Sequence, residues 1–220
     1  MQRIKEFFRT HPHAWWGAYL PVYLAMFFTI EHFITDNYWA TQTVLDDHVP
    51  FCEWFIFPYG SWFFLLAGVT ALLWWYDTAS YDKLCLMMFS GMTFCLILYM
   101  VLPNGLDIRP TAEAVGRDNI AMQMMQLIWK ADASVNVCPS IHVIGSLAVW
   151  FAARDTGKLP AILRKGIIPI MAVLISVSTV FLKQHSVLDI IAALLVYFGN
   201  PSNMGFCIAC FLRDTAGGLG

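Results

Sequence analysis

Six stretches of the chain are apolar almost without interruption: residues 14–30, 54–75, 84–102, 141–153, 167–182 and 187–198. Roughly 20 helical residues at ~1.5 Å each cover the ~30 Å core of a bilayer, which the run 54–75 satisfies and the runs 14–30 and 84–102 approach. The last three are shorter, so their polar ends are expected below headgroup level, inside a bundle. The pattern predicts an all-α, polytopic membrane protein: a six-helix bundle in one domain, residues 1–200, with a short C-terminal tail, 201–220. Gly199-Asn200-Pro201-Ser202 breaks the sixth helix. Between the runs lie an acidic segment holding Asp36, Asp46, Asp47 and Glu53, a short turn at 76–83, and the longest polar stretch, 103–139. Within the last, the methionine-rich residues 120–129 read as a helix along the membrane surface or over the bundle.

Composition agrees with the pattern. A chain of 220 residues that is 59% hydrophobic and 13% charged is too apolar for a soluble domain of this size. The net charge of −2 argues neither for nor against a charged partner, and with no basic stripe no nucleic acid is expected. Run 14–30 follows Arg3, Lys5 and Arg9 but lacks a cleavage site, and so reads as a retained span closed by Glu31 and His32. Lysine and arginine concentrate on the side of the termini (Lys83, Arg154, Lys158, Arg164, Lys165 and Arg213 beside the N-terminal three). Arg109, Arg117, Lys130 and Lys183 fall on the other. The positive-inside rule then makes both termini cytoplasmic in a multi-pass cell-membrane protein. The six cysteines are scattered, and Cys207-x-x-Cys210 has no second ligand pair, so no metal is expected there.

Candidate chemistry gathers on the extracytoplasmic side. In Lys183-Gln184-His185-Ser186-Val187-Leu188-Asp189, His185 and Asp189 stand four apart at a helix start, where a carboxylate can hold one imidazole nitrogen and aim the other outward. Ser186-x-x-Asp189 is equally a capping box. Ser140 reads as the cap of the fourth run, one turn of which carries His142. Two helix N-termini, Arg109 and Lys183 at one low-dielectric face would bind phosphate. Taken singly, the serines read as caps, Arg109 as a loop residue and His142 as a buried histidine; their convergence points to function, because intramembrane ionisable groups are costly. One imidazole would attack phosphorus and the other protonate the departing oxygen. No carboxylate cluster suggests Mg²⁺ or Ca²⁺ and no glycine-rich phosphate loop appears, so the expected chemistry needs no metal and no cofactor.

Three motifs carry a resemblance. Leu102-x6-Arg109-Pro110, Pro139-Ser140-Ile141-His142 and Ser178-Thr179-x5-His185-x3-Asp189 resemble the motifs of the type 2 phosphatidic acid phosphatase superfamily. The resemblance implies a lipid phosphatase with His185 as nucleophile, Asp189 as its partner, His142 as general acid, and Arg109 and Ser140 as phosphate ligands. Leu102, Ile141 and Thr179 depart from the family's lysine, glycine and arginine, removing two cations; spacing offers Lys183 as a replacement. Cys138-Pro139-Ser140-Ile141-His142 without the arginine is similar to the inositol phosphoryl-ceramide and sphingomyelin synthase branch, whose members transfer to an alcohol. The expectation is therefore a membrane enzyme hydrolysing a lipid phosphate or prenyl diphosphate through a phosphohistidine. The alternatives are headgroup transfer to a lipid alcohol and a non-catalytic anion-binding protein.

Overall fold

The computed structural model describes residue 6 and residues 10–34 and 37–198. Arg3, Lys5, Arg9, Asp36, Arg213, the Cys207/Cys210 pair and the tail lie outside the described residues. The chain is mostly helical, and each apolar run forms a helix: α1 (Tyr19–Phe33), α3 (Ile56–Tyr76), α4 (Thr78–Val101), α7 (Ile141–Arg154), α8 (Ile168–Phe181) and α9 (Val187–Phe198). The polar segments supply α2 (Val44–Asp47), α5 (Ala112–Val115) and α6 (Ile120–Ala131). Two-residue strands β1 (Trp39–Ala40) and β2 (Asn104–Gly105) pair in parallel.

Three helices are long and apolar enough to cross a membrane: Glu53–Tyr76, Thr78–Val101 and Leu163–Phe181. The third corrects the expectation of a short fifth span. A π turn over Leu163–Ile167, just ahead of Pro169, carries the helix on through Arg164 and Lys165. The first run is divided instead: Pro12 opens a 3-10 turn over Pro12–Ala18, leaving α1 only 15 residues. Large apolar side chains such as Phe63, Phe64, Val101, Ile170 and Leu195 stand exposed on the outside of the bundle. Such a surface suits lipid and not water.

Helix α7 is the axis of the assembly. It packs against α3, α4, α8 and α9, and Val143 through Val149, Ala152 and Ala153 are all buried. Small residues allow that. A Cβ on Gly145 would meet the Trp62 indole at 3.1 Å, and one on Gly91 of α4 would come within 2.7 Å of Ile144 Cγ2. Helix α6 lies over one end of the bundle, burying Ala121, Met122 and Met125 against Ile56, Tyr59 and Leu182. Of the two placements the sequence left open, packing over the bundle is the one observed.

Candidate functional site

The α8–α9 connection sets the position of His185. Leu182 is the C-cap of α8, and Lys183 follows in the left-handed region at φ 55. The Lys183 and Gln184 amides donate to the carbonyls of Val180 (3.1 Å) and Thr179 (2.9 Å), completing a Schellman turn. His185 N also donates to Thr179 O, at 3.2 Å, so the histidine leaves a turn with no slack. Ser186 and Asp189 then form the reciprocal box expected: Ser186 N donates to Asp189 Oδ2 at 2.8 Å, and Asp189 N to Ser186 Oγ at 3.2 Å.

The same carboxylate faces the imidazole. Asp189 Oδ2 lies 3.4 Å from His185 Nδ1, and the Val137 carbonyl lies 2.9 Å from that nitrogen. Only a protonated Nδ1 can serve both oxygens, which fixes the tautomer: in the neutral ring the lone pair is on Nε2. Capping and orientation are thus not rival roles for Asp189. It performs both, fully buried. His185 Nε2 points at His142 Nδ1, 3.4 Å away. The His142 ring is held between Tyr59 and Trp62, with centroids at 4.5 and 4.6 Å.

The loop before α7 is shaped by Asn104, which the sequence reading missed. Its Oδ1 accepts from Val137 N and Cys138 N, and its Nδ2 donates to the carbonyls of Leu102 and Cys138. Tyr99 hydroxyl donates to Pro139 O at 2.6 Å, so the Val137 carbonyl is aimed at His185 by groups buried in α4 and β2. Ser140 caps α7 through its hydroxyl, and its amide donates to Asp189 O at 3.2 Å. Burial first, then the Asp189 carboxylate, push the Cys138 thiol up to about 12, so it stays neutral and is no rival nucleophile.

Asp46 was also missed. Its Oδ2 accepts from Thr43 N and Oγ1, while Oδ1 accepts from Val187 N at 2.8 Å. The N-terminus of α9, expected to receive a substrate anion, is therefore filled by the chain's own carboxylates, Asp46 and Asp189. Lys183 turns the same way. Its ammonium donates to the carbonyls of Asp46 (2.7 Å) and Val49 (2.6 Å), so the structure does not bring it to the imidazoles. Burial lowers its pKa from the ordinary lysine range, against the opposing pull of Asp46 and Asp47.

Arg109 is brought close, through Gln184. Nη2 donates to Gln184 Oε1 at 2.7 Å and to Asp132 Oδ2 at 2.9 Å, and Nη1 donates to Asp132 O at 2.7 Å. Glu31 reaches the same loop, accepting from Ala133 N at 3.0 Å. A cavity of about 300 Å³ opens beside His142 and Asp132, walled by Tyr23, Phe27, Trp62 and Phe63. The arrangement can hold one imidazole as a nucleophile, place a second beside it, and lodge an apolar chain against the second, His142. Cys52 and Cys138 are free thiols. No protein-family model, curated protein or solved structure matches the chain.

Proposed function

We propose that this chain is an integral membrane lipid phosphatase that hydrolyses a lipid phosphate or prenyl diphosphate through a phosphohistidine. The observation that carries the reading is His185: Nδ1 held by Val137 O and Asp189, Nε2 turned to His142, which in turn lines an apolar cavity. In the first step Nε2 attacks phosphorus, the P–O bond to the lipid breaks, and His142 gives its proton to the departing oxygen. Asp189 stabilises the imidazolium as it forms. In the second step His142 takes a proton from water, the oxygen attacks phosphorus, and the P–N bond breaks to release phosphate.

At 3.4 Å the two ring nitrogens leave no room for a phosphoryl group between them. Binding then requires the His142 ring to slide between Tyr59 and Trp62. Arg109 exchanges its contact with the half-exposed Asp132 carboxylate for the phosphate. Six spans, cytoplasmic termini and an extracytoplasmic site complete the reading; α7 and α9, 14 and 12 residues long, would hold the imidazoles at headgroup depth.

A second reading, transfer to a lipid alcohol, draws on the Tyr23 hydroxyl and Trp62 Nε1. Both line the cavity, buried and without a partner among the described residues, as a hydroxyl-binding pair would be. Phosphate release from phosphatidic acid and from a prenyl diphosphate, by the full chain in detergent, separates the two. Release that vanishes in His185→Ala supports hydrolysis. No release by folded protein, with label appearing on an added lipid alcohol, supports transfer, and neither outcome with any substrate contradicts both.

A further inference from the structure

Arg109 and Gln184 share one hydrogen bond that leaves an unused donor on each side of it. Nη2 donates to Oε1 at 2.7 Å. A guanidinium has only donors, so the Gln184 amide must turn its oxygen toward Arg109 and its Nε2 the other way. That Nε2 is buried and has no partner among the described residues; the same is true of Arg109 Nε. Gln184 itself is 2% exposed. Interiors leave few such groups unpaired, and each calls for an acceptor.

The place is chemically specific. Gln184 directly precedes His185, and the amides of both donate to the Thr179 carbonyl. The glutamine stem and the imidazole therefore leave adjacent points of one fixed turn. Its positive φ at Lys183 sends the lysine to Asp46 and Val49 and leaves Gln184 as the side chain of this turn that meets Arg109. Asp132 already presents an anionic oxygen to the same Nη2.

We propose that Gln184 is a phosphate-binding residue: its Nε2 takes a non-bridging oxygen of the phosphoryl group that His185 attacks, while its Oε1 stays on the Arg109 guanidinium. The proposal rests on the phosphoryl-transfer reading above and adds a neutral donor to it, where sequence spacing offered Lys183. A neutral amide holds the oxygen without forming an ion pair that would slow release of the product.

The test reads binding, so that it stands apart from turnover. The full chain in detergent is titrated with orthovanadate, a tetrahedral phosphate mimic, and followed by vanadium NMR. Gln184→Leu removes the donor and is expected to weaken binding about tenfold, the worth of a hydrogen bond to a charged group. Gln184→Glu is isosteric and keeps an oxygen on Arg109, so it preserves the fold; it is expected to abolish binding. Equal affinity in wild type and both variants, with only the thermal midpoint of Gln184→Leu lowered, would mean that a buried water takes these donors and would overturn the proposal. So would a wild type that binds no vanadate. Phosphatidic acid turnover measured on the same preparations reports separately on the phosphatase reading: an active wild type with unaltered variants sinks the role of Gln184 alone.

Discussion

His185 is fixed by parts of the chain that lie far apart in sequence, and that spread explains what could be read in advance. The partners Asp189 and Ser186 are within four residues and are visible as spacing. Asn104, Asp132 and Asp46 act across 34, 23 and 137 to 141 residues, and nothing local announces them. Thr43-x-x-Asp46 has the form of a capping box, the one local signal that points to Asp46. Spacing offers Lys183 to phosphate, and no glycine marks the left-handed turn that sends its side chain away. Two substitutions follow. Asp189→Asn keeps an oxygen for Ser186 N but loses the charge facing Nδ1. It is expected to lower kcat by on the order of 10²-fold or more with a shift of only a few degrees in Tm; unchanged kcat would reduce Asp189 to a cap. Lys183→Met removes two bonds to carbonyls in the Asp46 loop, and should cost about 2–3 kcal/mol of stability while leaving KM for the lipid within about twofold. A raised KM at unchanged Tm would return the ammonium to the substrate.

At the scale of elements, the six apolar runs were legible as helices because burial and lipid contact leave no polar face to interrupt them. Their lengths were less so. The fifth gains a π turn and the first loses its opening turn to Pro12, both backbone matters that hydropathy does not register. The α3–α4 turn shows what holds two long helices in register. Asp77 caps α4, accepting from Ser80 N and Oγ, and also accepts from Thr156 Oγ1 beside Lys158. Burial would raise its carboxyl, but the hydrogen bonds from Thr156 and Ser80 and the Lys158 charge outweigh it and hold the group below the usual carboxylate range. A depressed folded pKa gives stability that is present above the unfolded value, near 4, and is lost as pH falls through the folded one. The Tm of the wild type should therefore drop in detergent below about pH 4. Asp77→Asn should start lower, by the ~1 kcal/mol of a weakened cap, and lose part of that pH dependence. Parallel pH profiles for the two proteins would deny Asp77 this role.

For the molecule as a whole, the account joins a buried histidine pair to a surface made for lipid. The orientation is testable directly. In a chain stripped of its six cysteines, His48→Cys and Gly157→Cys place single thiols at exposed positions on the site side and the opposite side. An impermeant maleimide applied to intact cells should label position 48, and position 157 only after permeabilisation; the reverse order would invert the topology. The central claim is the covalent intermediate on His185, held ready by Val137 and Asp189. The most direct measurement is to mix the full chain with lipid carrying radiolabelled phosphate, quench in alkali, and locate the label by peptide mapping. The account predicts an alkali-stable, acid-labile adduct on the His185 peptide, absent in His185→Ala. Turnover without any such adduct, or label that persists in His185→Ala, would contradict it.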